Sequence, residues 1–289
     1  ANFGGAKGRY AQDLFTMAAT NFVRVNKLAP FFLYLAYTIP HAHNELKDKG
    51  MEVPSDAPYS QEDWPQPEKN KAAMITRLDA DIGRLLAQLK ALQIESNTVV
   101  FFTSDNGPHK EGGVRPDFFR SSGLLRGLKR DVYEGGIRVP MLVRWPGRIA
   151  PGTVSDQVWY FPDFLPTAAE IAGVQPPPGV DGISIVPTLL GQAQTNQHEY
   201  LYWEFHEGGS KQAVRLGDWK GVRLEPGQPL ELYDLKTDAG ETKNVAAAHP
   251  DVVARIEAIL KTARTESEPW PLRTAAEWKK ARPAEAKKN

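Results

Sequence analysis

The sequence contains no cysteine. That absence excludes disulfides, thiolate zinc sites, iron–sulfur clusters and cysteine nucleophiles. It leaves the compartment open, because a large stable domain can be cysteine-free in any of them. Net charge is missing too: 35 basic and 35 acidic side chains cancel. A chain without a basic field is a poor fit to a phosphate backbone or an anionic lipid surface, which argues against nucleic acid and polybasic membrane binding. The longest apolar run, residues 31–37, is far too short to span a bilayer. The opening Ala1-Asn2-Phe3-Gly4-Gly5 has no initiator methionine, basic n-region or apolar signal core, and we expect a removed leader or residues missing in front. No internal repeat is visible, and nothing in the sequence speaks to oligomeric state.

What is present describes a packed protein. Hydrophobic residues make up 41% of the 289 and aromatics 10%, enough for a chain that buries about 75% of its unfolded surface to fold without a staple. Residues 10–25 place Tyr10, Leu14, Ala18, Phe22 and Val25 at helical spacing. The run 31–37 suits a strand buried on both faces, and residues 40–67, with five prolines, suit a long functional loop. A second helix follows from Ala72, Ile75, Leu78, Ile82, Leu85, Leu86, Leu89 and Leu92. Residues 98–102 and 139–145 read as further strands. Strand, helix and strand in that order predict βαβ units and a mainly parallel sheet, whose ligands sit at the carboxyl ends of strands. Two loops open there, at His41 and at Asp105. After residue 191 come short strands at 200–205, 213–216, 219–224 and 230–235, suggesting an antiparallel sheet, and a helix at 252–260 to cover it. We therefore expect residues 1–195 to form an α/β domain, 196–268 a small α+β subdomain and 269–289 a flexible tail.

Several side chains are suited to chemistry. Asp105 and Asn106 offer the carboxylate and amide oxygens that Ca²⁺ or Mg²⁺ prefers, although Asp-Asn-Gly is also ordinary turn chemistry. His41 and His43 can share a metal, or simply bond to backbone. His109, three residues past Asn106, meets either a substrate or water. Lys110, Arg115, Arg120, Arg126, Lys129, Arg130 and Arg138 make a basic cluster in a neutral chain. It is either a solvated loop or a site holding positive charge over a sulfuryl or phosphoryl group. Trp64, Phe118 and Phe119 are open to sugar stacking or to burial, as are Trp203, Phe205 and His206.

Three segments resemble the formylglycine-dependent sulfatases in order and spacing: Ser104-Asp105-Asn106-Gly107-Pro108-His109, then Gly123-Leu124-Leu125-Arg126-Gly127-Leu128-Lys129, then Tyr133-Glu134-Gly135-Gly136-Ile137-Arg138-Val139-Pro140. Pro40-His41, Leu78-Asp79-Ala80-Asp81, Asp181-Gly182-Ile183-Ser184, Arg215-Leu216-Gly217-Asp218-Trp219-Lys220 and Glu231-Leu232-Tyr233-Asp234 extend the likeness over nearly all of residues 10–265. The resemblance implies an α/β, alkaline-phosphatase-like sandwich with a mainly parallel sheet, its N-terminal part missing, plus a small C-terminal antiparallel sheet with a helix. It implies Ca²⁺, in preference to Mg²⁺, on Asp105 and Asn106. Lys129 then corresponds to a sulfate-binding lysine near the leaving oxygen, and His41 to a histidine that contacts sulfate and protonates the leaving group. His109 joins them as a substrate contact. The implied partner is a sulfated small molecule or glycan, and the implied location is periplasmic or secreted.

Two departures from the family pattern carry expectations. His43 replaces the second proline of the family's Pro-His-x-Pro loop. No Cys/Ser-x-Pro-x-Arg nucleophile motif occurs, so formylglycine is expected on a residue outside this chain, and the chain alone is expected to be inactive. Two rival readings stand beside this one: a phosphodiesterase or phosphonate hydrolase of the same superfamily, and a non-catalytic homologue that binds sulfated glycans.

Overall fold

Buried polar residues, more than the apolar stripe, decide how the first helix docks. In the computed structural model, which describes residues 7–285, α1 (Ala11–Asn26) buries Gln12, Thr16, Ala19 and Val23. That stripe is offset from the one read from apolar spacing, and Leu14 and Val25 are 38% and 63% exposed. The polar members are satisfied internally: Gln12 Nε2 donates to Asp81 Oδ2 at 3.1 Å, and the Thr16 and Tyr37 hydroxyls lie 2.9 Å apart. Asp81 belongs to α2 (Gln66–Ala91), which packs on α1. The Ala1–Gly5 opening lies outside the described residues.

Residues 31–37 do not form the strand expected of them. They pair with no strand among the described residues, and exposure alternates along them, with Phe32 at 70% and Tyr34 at 81%. One face lies on α1, where Phe31 meets Phe22 edge-on at 5.8 Å and Tyr37 meets Thr16. The other stays mostly exposed, touched at Phe32 by Phe164 at 6.2 Å. A two-residue period with a single covered face is the result.

Strands β1 (Val100–Thr103) and β2 (Met141–Arg144) form where sequence places them, but they pair antiparallel, with Val100 opposite Arg144 and Thr103 opposite Met141. Loop 104–140 is long enough for either return, and it holds the single helical turn α3 (Glu134–Ile137). With the pair antiparallel, the chain leaves and re-enters at one end of it, and residues 104–140 gather there. α4 (Phe164–Ile171) and α5 (Val186–Leu189) follow.

The C-terminal sheet agrees with its sequence pattern. β3 (Leu201–Phe205), β4 (Lys211–Leu216), β5 (Trp219–Arg223) and β6 (Glu231–Asp234) run antiparallel in that order. Alternation sends Val214, Leu216 and Leu232 to one face, against Val252, Ile256 and Leu260 of α6 (Pro250–Thr262). The other face, with Ala213, Val222 and Tyr233, packs on Val132 and Tyr133. The small sheet thus braces the loop that carries Lys129. Within the stretch expected as a tail, residues 275–285 form α7 (Ala275–Glu285), preceded by a backbone bond from Ser210 N to Arg273 O at 2.7 Å. Among the described residues no helix is long and apolar enough to cross a membrane.

Candidate active site

Loop 104–140 is packed backbone on backbone. Gly107 N donates to Gly136 O at 2.9 Å, Gly135 N to Arg126 O at 2.7 Å and Lys129 N to Pro108 O at 2.9 Å. These approaches require glycine: a Cβ on Gly107 would run into the Gly135 carbonyl, and one on Gly135 into the carbonyls of Arg126 and Gly127. The Asp-Asn-Gly turn and the Lys129 segment are therefore locked side by side.

His109 ties this loop to the one opening at Pro40. Its Nε2 donates to Pro40 O at 3.1 Å and its Nδ1 accepts from Glu111 N at 3.1 Å. Both ring nitrogens are engaged by backbone, and the residue is buried. Burial, the largest influence, holds its pKa below the ordinary value of 6.5. A depressed histidine binds its proton more readily unfolded than folded, so its contribution to stability is present above 6.5 and is lost as pH falls through the lower folded value. His109→Gln should therefore flatten the loss of stability on acidification, measured by denaturant unfolding at about pH 7 and about pH 5.

Above this clamp, four nitrogen-bearing side chains surround one carboxylate. Lys129 Nζ lies 2.8 Å from His41 Nε2. Glu111 Oε2 is 3.6 Å from each of those nitrogens and 4.0 Å from His109 Nδ1. Glu111 Oε1 accepts from Arg130 Nη1 at 2.7 Å, and Arg130 Nε donates to Glu207 Oε2 at 2.8 Å. Burial works to raise the Glu111 carboxyl, but the Arg130 hydrogen bond and the charges of Lys129 and Arg130 outweigh it and hold the group below the usual carboxylate range. Arg130 sits at φ 80, in the left-handed region that a non-glycine residue adopts only when its surroundings impose it. Lys211 Nζ, donating to Arg130 O at 3.0 Å, is one such restraint.

The structure joins His41, Lys129 and His109 in one centre and sorts their neighbours. His43 stands apart, its Nδ1 2.9 Å from Glu52 and its Nε2 3.1 Å from Glu45. Of the basic cluster, Lys129 and Arg130 reach the centre. Arg126 instead packs over the Tyr133 ring at 3.9 Å and donates to Tyr233 Oη and Glu241 O. Trp64 stacks on Tyr59 at 5.4 Å and takes the edges of Phe118 and Phe119. His206 lies between Ser210 Oγ and Glu204 Oε1, at 3.0 and 3.1 Å, but the serine is buried. Sequence reasoning missed Glu111; the available signal was an acid two residues past His109 in a largely basic stretch.

Asp105 and Asn106 lie at the end of β1, with the Asp105 side chain exposed. Asn106 Nδ2 donates to Gly107 O at 2.9 Å, which turns its amide oxygen the other way. Hard oxygens of this type fit a divalent cation, but two fall short of the roughly six to eight that Ca²⁺ takes. Among the described residues no group of three or more His, Asp or Glu side chains stands ready to hold a metal.

Comparison with known proteins places the chain among sulfatases. Residues 2–174 match the family model described as Sulfatase, and residues 128–266 match N-sulphoglucosamine sulphohydrolase, C-terminal. A mouse (Mus musculus) steryl-sulfatase is 30% identical over 93% of this chain and 46% of its own length. An N-acetylgalactosamine-6-O-sulfatase of Bacteroides thetaiotaomicron is 29% identical over 88% of this chain and 51% of its own. The crystal structure of Ps i-CgsB in complex with k-i-k-neocarrahexaose superposes with a TM-score of 0.79 at 27% identity, covering 96% of this chain and 60% of that one. The chain spans about half the length of the curated relatives it matches. Its architecture is the α/β, alkaline-phosphatase-like fold of these neighbours.

Proposed function

The chain belongs to the sulfatase family, and from that premise we propose that it carries the leaving-group side of a site that hydrolyses sulfate esters of carbohydrates or aryl alcohols. The observation that carries the reading is the 2.8 Å contact between Lys129 Nζ and His41 Nε2. An ammonium can only donate, so Nε2 accepts. Nδ1, 2.6 Å from Ala42 O, must then hold the ring proton. Lys129 is a fixed cation for the sulfate oxygens. His41 is the acid for the departing oxygen: a proton taken from solvent on Nε2, in place of the Lys129 hydrogen bond, passes to that oxygen, and Lys129 stays charged.

Asp105 and Asn106 would supply carboxylate and amide oxygens to a Ca²⁺ ion, which adds positive charge at the sulfate oxygens. Formylglycine, on a residue outside these 289, would supply the oxygen nucleophile that attacks sulfur. His109 holds loop 40–43 against the Lys129 segment. Export to the periplasm or cell exterior belongs to the same reading.

Two measurements test it. Asp105→Ala should weaken Ca²⁺ binding at least about tenfold by calorimetry; unchanged affinity would remove Asp105 from the metal site. Turnover of an aryl sulfate and an aryl phosphodiester, measured side by side on the formylglycine-bearing protein, should favour the sulfate. Preference for the phosphodiester would transfer the site to phosphoryl chemistry.

A further inference from the structure

Glu111 is the residue about which this site is arranged, and neither the family match nor the sulfate chemistry assigns it work. Its Oε1 is committed to Arg130 at 2.7 Å. Its Oε2 is buried and accepts no hydrogen bond from a described residue, yet lies 3.6 Å from Lys129 Nζ, 3.6 Å from His41 Nε2 and 4.0 Å from His109 Nδ1. A buried carboxylate oxygen without a donor is unfavourable by itself. At 3.6 Å it attracts the ammonium without consuming any of its three N–H donors, one of which is spent on His41. Direct pairing between Glu111 and Lys129 would draw the amine off the imidazole.

We propose that Glu111 is a positioning residue that holds the Lys129 ammonium against the unprotonated Nε2 of His41 and holds Arg130 on its other side, so that an anionic ester meets a fixed set of charges and a fixed imidazole tautomer. The charged groups facing this point come from every neighbouring element. Glu111 and His109 belong to the loop after β1, Lys129 and Arg130 to the segment before α3, and His41 to loop 40–43. Glu207, between β3 and β4, reaches the centre through Arg130, and the charge of Lys71 on α2 bears on His109. His109 is held in its neutral tautomer by its two backbone bonds, so the negative charge of Glu111 is balanced by Lys129 and Arg130, and His41 meets it through the Lys129 ammonium.

The kinetic consequence rests on the sulfatase reading, whereas the geometry does not, and the test separates them. Histidine-ring ¹⁵N spectra are recorded on the wild-type protein and on Glu111→Gln and Glu111→Asp, with thermal midpoints alongside. His41 should appear as the Nδ1-protonated tautomer in wild type and in Glu111→Asp, and lose that signature in Glu111→Gln. On an aryl sulfate, Glu111→Gln should lower kcat about 10- to 100-fold with KM little changed, and Glu111→Asp should recover most of the loss. An unaltered His41 tautomer in folded Glu111→Gln overturns the proposal whatever the kinetics. If the Gln variant does not fold, Lys129→Met takes its place, and a His41 tautomer that persists there overturns the proposal equally. A wild type that cleaves no sulfate ester, but whose His41 tautomer depends on Glu111, refutes the function and upholds the positioning role.

Discussion

Lys129→Ala is expected to lower kcat for an aryl sulfate about 10²- to 10³-fold, the usual cost of removing one preorganised donor from developing negative charge. The amine is well placed for an effect of that size. Its side chain is 18% exposed, beside a carboxylate 17% exposed, so solvent neither screens it fully nor replaces it when the side chain is cut back. Its backbone is fixed by the bond to Pro108 O, and its amine by His41. The loss should fall mainly on kcat, because the deleted contact strengthens as charge moves onto the leaving oxygen. Arg130, engaged by Glu111 and Glu207, is not free to substitute. A loss confined to KM would make Lys129 a ground-state binding group instead.

Lys220→Met should destabilise the fold by about 3–5 kcal/mol, the cost of removing one partner from a buried ion pair. Lys220 is fully buried, with Nζ 2.7 Å from Glu134 Oε1 and 3.6 Å from Glu241 Oε1, and it lies 5.4 Å over the Trp203 ring. Glu241 Oε2 also accepts from Glu134 N at 2.7 Å. Burial pushes the Glu241 carboxyl up, and Lys220 is the main influence pulling the other way. Methionine keeps most of the lysine stem, so the measured loss reports the charge and not a cavity. Because Glu134 opens α3 directly after the Lys129 segment, the same substitution should loosen the site. Denaturant unfolding checks the first effect and aryl sulfate kinetics the second. A change below about 1 kcal/mol would make the triad an accessory, not a clamp.

Much of this was legible in sequence wherever apolar periodicity controls the outcome. The α2 helix, β1, β2 and the four strands under α6 appear near their expected places, and in the C-terminal sheet alternation does define the buried faces. By contrast, α2 buries Glu68, Lys71, Ala73, Met74 and Asp81 and, of the stripe its spacing defines, only Leu89 fully. The reading failed where polar residues decide. Gln12 and Thr16 turn α1 away from its apolar stripe, since Asp81 and Tyr37 offer them partners that no spacing rule counts. Residues 31–37 look like a doubly buried strand because composition cannot say that only one face is covered. The direction of β2 could not be read from sequence, because loop 104–140 is long enough for either return, and the pair is antiparallel.

The centre was half legible. His41, Lys129 and His109 were singled out and do meet, over the separations of 88 residues from His41 to Lys129 and 69 from Pro40 to His109. Glu111 and Lys220 were passed over because an acid in a basic loop and a lysine in a half-polar strand both look like solvated surface. Their roles depend on burial, which emerges only when the small sheet closes on residues 126–136.

The most direct test is the rate of aryl sulfate hydrolysis by the formylglycine-bearing protein, with Lys129→Ala measured beside it. Release of sulfate that falls by about two orders of magnitude or more in the variant is the predicted result. Absence of sulfate release from the parent protein, or equal rates in the two, would contradict a sulfuryl-transfer role for the Lys129–His41 pair.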